Sequence, residues 1–173
     1  HDKKELSRVS ERNINRTKYH SMNKKEMMVA AIENGTVLDH IPSDRLFDVV
    51  SMLHLDKMSN AITIGYNLKS AVMGRKSIIK IADKYFTDEE LNQLSVVAPN
   101  ITLCVIKDYE ITEKRTVVMP EELVGIVMCP NPKCITNNEP MMTRFRSVAA
   151  GKGIVRCSYC NKDVELKDVR IVE

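Results

Sequence analysis

Four of the five cysteines fall into two close pairs, Cys129-x4-Cys134 and, after 22 intervening residues, Cys157-x2-Cys160. Each pair can sit on a tight turn that aims two sulfurs at one point. Four thiolates in tetrahedral geometry suit zinc, which has no redox chemistry and no ligand-field preference. Pro130 and Pro132 stiffen the first turn. Two disulfides in a secreted chain are the competing reading, and the fifth cysteine and the metal-like spacing weigh against it. Iron in the same shell is chemically possible, but nothing in the sequence favours electron transfer. A closed four-sulfur shell leaves no open position for water or substrate, so one structural zinc is expected rather than a catalytic one. The fifth, Cys104, lies in the apolar run ITLCVI and reads as a small buried side chain.

No nucleophile–base pair stands out. His20, His40 and His54 fall in unrelated local contexts, so the sequence points away from an enzyme. Charge adds a constraint. The net charge of +3 divides into +3 over residues 1–21, −3 over 22–126 and +3 over 127–173. The middle of the chain is mildly acidic, and an anion bound there must be held by a few placed cations rather than by a broad field. The basic C-terminal third allows a second reading, a zinc-ribbon nucleic-acid-binding protein. Against it, four thiolates with one zinc lower the charge of residues 127–173 from +3 to +1. Little aromatic surface is available for base stacking.

The elements that must position these residues read as follows. Residues 28–33 and 36–41 are extended runs around Asn34-Gly35, a strong hairpin signal. Residues 44–55 have helical spacing, with Ser43 as the candidate N-cap. Residues 61–67 form a strand, 68–76 a loop and 77–82 another strand. Thr87-Asp-Glu-Glu90 is a capping box opening a helix to about Val97, with Leu91 and Leu94 inward. Residues 101–106 are a strand, and 109–119 hold one or two more. The order is that of a split βαβ, ferredoxin-like arrangement with both helices on one face of an antiparallel sheet. Beyond Pro120 come short strands only, at 123–128, 142–148, 153–156 and 164–172. A unit of that size has too little core to be stable alone, and a metal cross-link remedies that. The expected class is α+β: a ferredoxin-like α/β sandwich over 27–120 followed by a small antiparallel β zinc-binding domain over 121–173. Residues 1–26 are a polar leader, expected to be disordered. No apolar run reaches the roughly 18–20 residues of a membrane span, so no membrane and a cytoplasmic location are expected.

The order of Gly35-Thr-Val-Leu-Asp-His-Ile-Pro42, Ile62-Thr-Ile-Gly65, Met73-Gly-Arg-Lys76, Ile79-Lys-Ile81 and Ala98-Pro99 continues into a second set. This is Cys129-Pro-Asn-x-x-Cys-Ile135, Asn137-x-Glu-Pro140 and Cys157-x-Tyr-Cys160. Together they resemble the regulatory chains of aspartate carbamoyltransferase from about residue 27 onward. The resemblance implies a non-catalytic subunit acting in pyrimidine biosynthesis. Its first domain binds ATP, CTP and UTP as allosteric effectors. Its zinc domain docks on the catalytic chain, and two regulatory chains form a homodimer; no nucleic acid takes part. By the same resemblance Ala31, Ile32, Tyr109 and Ile111 match the base pocket. Asp39 and Lys80 lie near the ribose, with His40 beside them, and Lys114 meets the triphosphate with support from Lys76. Cys104 stands where related chains often carry an asparagine that holds the nucleotide, and a thiol is a weak replacement. Asn131 matches a residue that contacts the catalytic chain, whereas Lys133 and Asn161 differ from residues that make such contacts. Taken alone, Lys80 reads as an outward residue of an alternating strand and Lys114 as part of a solvated charged stretch.

Overall fold

The computed structural model describes residues 31–149 and 152–172. The leader, residues 1–26, lies outside the described residues, as do 28–30 of the first extended run.

Strand β1 (Gly35–Ile41) is central. It pairs antiparallel with β3 (Gly74–Ala82) on one side and with β4 (Thr102–Lys107) on the other. With both ladders filled, no edge remains for a hairpin partner, and residues 31–33 are not strand. The expected Asn34-Gly35 hairpin is therefore corrected, because long-range pairing overrides local turn propensity. Gly35 instead lets β1 enter the sheet. Its φ is +136°, and a Cβ there would collide with the Ile81 carbonyl oxygen.

The single helix expected over 44–55 is broken into a 3-10 turn (Ser43–Arg45), α1 (Leu46–Met52) and a second 3-10 turn (Leu55–Lys57). His54, at φ +52°, makes the break. Ser43 is not the N-cap. It lies inside the first turn, and its hydroxyl meets that of the fully buried Ser77 at 3.2 Å.

The loop expected over 68–76 is also corrected. Strand β2 (Ile62–Ser70) and β3 extend through it, leaving only residues 71–73 as the turn. A bulge hides this from the sequence pattern, because the β2–β3 register slips between Gly65 and Leu68. Asn67 takes φ +56° there and donates its N–H to the Ser77 hydroxyl. A matching slip between Leu38 and Ile41 on the other side of β3 places His40 at φ +60°. Slipped registers invert the alternation that a period-two reading depends on.

Helix α2 (Asp88–Val97) opens on the expected capping box. The Glu90 N–H donates to the Thr87 hydroxyl at 3.2 Å, and the Thr87 N–H to the Glu90 carboxylate at 2.8 Å. After β4, β5 (Glu110–Thr116) completes a five-stranded antiparallel sheet of order β2-β3-β1-β4-β5. The first four strands and two helices follow the expected split order, with β5 added at the edge. Leu46 and Val49 of α1 and Leu91 and Leu94 of α2 pack on Leu38, Ile79, Ile81 and Leu103. Both helices thus cover one face of the sheet, and among the described residues no helix covers the other.

The remaining chain forms two small sheets. The first has order β10-β9-β8-β6, from Asp163–Glu165, Ile154–Cys157, Arg144–Ala149 and Glu122–Val124. The second pairs β11 (Arg170–Ile171) with β7 (Val127–Met128). The strand expected over 123–128 is split at Gly125, φ +67°, and that over 164–172 by a 3-10 turn at Leu166–Asp168. The core of this unit is Leu123, Val127, Phe145, Val155 and Val164 together with Cys129, Cys134 and Cys157. Val96 of α2 belongs to it as well, so the first unit inserts a side chain into the second.

Candidate metal centre and ligand face

The first knuckle follows β7. Its turn closes by a Cys134 N–H bond to the Asn131 carbonyl at 3.0 Å. Two asparagine side chains brace it. Asn137 donates to the carbonyls of Cys129 and Asn131 at 2.8 and 2.7 Å, and Asn138 to those of Pro132 and Cys134 at 3.1 and 2.8 Å. The second knuckle ends β9, where Asn161 at φ +60° returns the chain. It is closed by the Asn161 N–H on the Cys157 carbonyl at 2.9 Å.

The two knuckles bring all four Sγ atoms within 4.8 Å of one another. Cys129 and Cys160 are 3.6 Å apart, and Cys134 and Cys157 3.8 Å. Sulfurs about 2.3 Å from a central zinc stand about 3.8 Å from each other at tetrahedral angles. All four cysteines are free thiols, three of them buried and Cys160 half-buried. Burial pushes the Cys129 thiol up to about 12, and raises Cys157 too. Burial also opposes ionisation of Cys160, but N–H donation from Lys162 and the Asn131 side chain brings it down to about 7. Four thiolates coexist in this pocket only around a cation, and the soft, closed sulfur set fits one structural zinc.

The interface residues expected on this unit are arranged around the knuckles. Asn131 is half-buried, and its side-chain oxygen accepts from the Lys133 N–H at 3.1 Å. Lys133 and Asn161 are exposed. What the sequence reading missed is that the Thr136 hydroxyl donates to the Cys134 sulfur at 3.2 Å. A threonine two residues past a ligand cysteine was the available signal.

The sheet face opposite the helices holds most of the other named residues. Strand register makes a row across it: Lys114 on β5 faces Cys104 on β4, which faces Val37 on β1, which faces Lys80 on β3. Asp39, two residues beyond Val37, shares that face. Its carboxylate holds the Lys76 ammonium at 2.9 Å and accepts from the His40 N–H at 2.6 Å, with His40 Nδ1 at 3.5 Å. That Nδ1 is buried without a hydrogen-bond partner. Burial pushes the Cys104 thiol up, Lys114 pulls it down and Asp39 adds to the rise, so all three lie within electrostatic reach. At the far end, the Tyr109 N–H donates to the Glu33 carbonyl at 2.9 Å, and the Asp108 N–H to the Asn34 side chain at 3.1 Å. These bonds tie the segment holding Ala31 and Ile32 to the β4–β5 turn, next to the exposed Tyr109 and Ile111.

Two family profiles match the chain. Residues 27–118 match the aspartate carbamoyltransferase regulatory chain, allosteric domain. Residues 121–170 match the metal binding domain of the same chain. Curated relatives carry the name aspartate carbamoyltransferase regulatory chain. The one from Parabacteroides distasonis is 54% identical over 148 residues, covering 86% of this chain and 96% of the relative. That from Bacteroides fragilis is 55% identical over 152 residues, 88% of this chain and 99% of the relative. An archaeal relative from Pyrococcus abyssi is 39% identical over 146 residues, 83% and 96%. The four-sulfur centre and the sheet face opposite the helices thus sit in the metal-binding and allosteric domains of a protein that belongs to the family of aspartate carbamoyltransferase regulatory chains.

Proposed function

We propose that this regulatory chain binds nucleoside triphosphates (ATP, CTP and UTP) on the open sheet face of an effector unit spanning 27–120. A metal unit spanning 121–173 then passes their effect to the catalytic chain of aspartate carbamoyltransferase, on which it docks. The observation that carries the reading is the Lys114–Cys104–Val37–Lys80 row with the Asp39–Lys76 pair beside it. A triphosphate needs point cations, which lysines supply on flexible stems, and a ribose needs a carboxylate acceptor. Asp39 accepts from the ribose hydroxyls. Lys80 lies beside the ribose with Asp39, and Lys114 meets the triphosphate with support from Lys76. Ala31, Ile32, Tyr109 and Ile111 flank the base. Cys104 replaces a polar contact with a protonated thiol, which weakens the hold on that edge.

The zinc, when bound, supplies a cross-link that substitutes for core volume. Asn131, Lys133 and Asn161 stand at the knuckles it holds, with the exposed apolar side chains Ile135 and Tyr159 beside them in sequence, and this is the face offered to the catalytic chain. A second copy of the chain is accommodated at the β2 edge. Ile64 and Tyr66 are exposed there, and the Phe47 ring lies 5.6 Å from that of Tyr66. Effectors then act by binding one quaternary state more tightly than the other.

Calorimetry of the purified chain with CTP and ATP at millimolar nucleotide tests the effector role, and saturable binding is expected. No heat of binding for either nucleotide would refute it. Nucleic-acid binding is not favoured, and a salt-dependent gel shift with random single-stranded DNA is expected to be absent.

A further inference from the structure

The outer face of the four-stranded sheet in the second unit carries a single line of charge. Strand register sets Glu122 on β6 opposite Arg146 on β8, Arg146 opposite Arg156 on β9, and Arg156 opposite Asp163 on β10. Directly opposed residues of antiparallel strands project to one side of the sheet. Their neighbours Leu123, Phe145, Val155 and Val164 are buried in the core, so the row faces away from it. Glu122, Arg146 and Asp163 are exposed and Arg156 is half-buried. Strands about 4.8 Å apart make the row roughly 14 Å long, in the order acid, base, base, acid.

Both carboxylates of the row are already taken. Asp163 accepts two bonds from Arg156, at 2.5 and 2.9 Å. Glu122 holds Arg144, two positions before Arg146 on the same strand and face, at 3.3 Å. Among the described residues no carboxylate lies in ion-pair reach of Arg146. It stands unpaired, with a second guanidinium directly opposite on the adjacent strand. Like charges opposed in this way destabilise a sheet. An anionic group laid between Arg146 and Arg156 would relieve that repulsion.

The charge order narrows the occupant. A nucleic-acid backbone carries its charge continuously and would meet Glu122 or Asp163 one strand spacing beyond the arginines. A second copy laid on the row in register would set arginine against arginine. A single carboxylate side chain fits, because the planar guanidinium matches it through two parallel bonds. The row also adjoins the second knuckle. Arg156 precedes the ligand Cys157, and the Arg144 carbonyl accepts from the Ser158 N–H at 2.9 Å.

We infer that the Arg146–Arg156 pair is a docking point for an aspartate or glutamate side chain of the catalytic chain, extending the docking face from the knuckles onto the outer sheet. The inference rests on the proposed docking of this unit on that chain.

The test uses the full zinc-loaded regulatory chain and its catalytic chain. Arg146→Gln removes the unpaired charge, Arg146→Glu reverses it, and Arg146→Lys keeps it without the planar fork. Association is titrated by calorimetry in low and in high sodium chloride, and the urea midpoint of each free chain is recorded. Arg146→Gln is expected to weaken association by about 10-fold in low salt and Arg146→Glu by more, with Arg146→Lys between the parent and Arg146→Gln. High salt should narrow these gaps, because exposed charges are screened. The free Arg146→Gln chain should be as stable as the parent or more so, since the repulsion on Arg156 is gone. Association within twofold of the parent for Arg146→Glu, or weaker association matched by a lowered urea midpoint in every variant, overturns the inference. So does an Arg146→Glu chain that loses only self-association or retention of single-stranded DNA, which would assign the pair to those partners. A parent chain that does not bind the catalytic chain overturns the docking reading itself, whereas parent binding with silent variants overturns this inference alone.

Discussion

The cations of the sheet face are not equivalent. Lys76 is already engaged by Asp39 at 2.9 Å, so a nucleotide that recruits it must compete with that carboxylate. Lys114 is exposed on the edge strand β5, where side chains have room to reach a distal phosphate. Removing one charge-assisted contact costs about 1.5–3 kcal/mol. Lys114→Ala is therefore expected to weaken CTP binding by about 10-fold or more in calorimetry while assembly with the catalytic chain persists. An unchanged titration would remove Lys114 from the site. Cys104 offers the opposite change. Its thiol is 7% exposed and burial keeps it protonated, so it gives a nucleotide little to bond. Cys104→Asn supplies a donor and an acceptor at the same register position. Tighter binding by about 1 kcal/mol is expected, the usual net contribution of one hydrogen bond. Weaker binding would mean that the thiol's size, not its chemistry, is what the site uses.

At the scale of elements, α2 is held at its start by two reciprocal bonds and by the Lys84–Glu90 pair at 3.0 Å. Burial raises the Glu90 carboxyl, but the Thr87 N–H and the Lys84 ammonium outweigh it and bring the group below 4.5. A carboxylate depressed in the folded state adds stability above its unfolded pKa and loses it as pH falls through the folded value. Glu90→Gln should thus cost a few tenths to about 1 kcal/mol at neutral pH, a small figure because the group is partly exposed and screened. That difference should vanish in urea titrations run well below pH 4.5. The capping box was legible because it is local: four consecutive residues carry the whole interaction. Gly35 was misread for the opposite reason. Its role depends on Ile81, 46 positions away, whose carbonyl oxygen would meet a Cβ. Gly35→Ala should destabilise the first unit by at least about 2 kcal/mol, measured as a lowered urea midpoint. The two bulges beside Ser77 were hidden in the same way, since a slipped register is fixed by partner strands rather than by the pattern of one strand. The lysine row across the sheet could be assembled only once those registers were known. The cysteine pairs were readable at once, because each knuckle is a local turn with ligand spacing.

For the whole molecule, the two units depend on different sources of stability. The first has a continuous core of sheet and helices, closed at Val117. The second has five apolar side chains of its own in its core, together with three of the four metal-shell cysteines and the borrowed Val96. Val96 is 1% exposed, so α2 ends inside the metal unit, and any loosening of that unit is felt by the helix that packs against the effector sheet. Removing one sulfur breaks the closed metal shell, and a unit with so small an apolar core has little else to cross-link it. Cys129→Ser, or displacement of the metal by a mercurial, should therefore unfold or loosen residues 121–172 while the first core stays folded. Size-exclusion chromatography with the catalytic chain should then show free regulatory chain in place of the complex. Calorimetry should still detect CTP, because none of the residues proposed to hold it lies beyond Lys114. Loss of CTP binding together with the partner would mean that the Val96 contact makes the two units one cooperative structure, and the effector site would then depend on the metal directly.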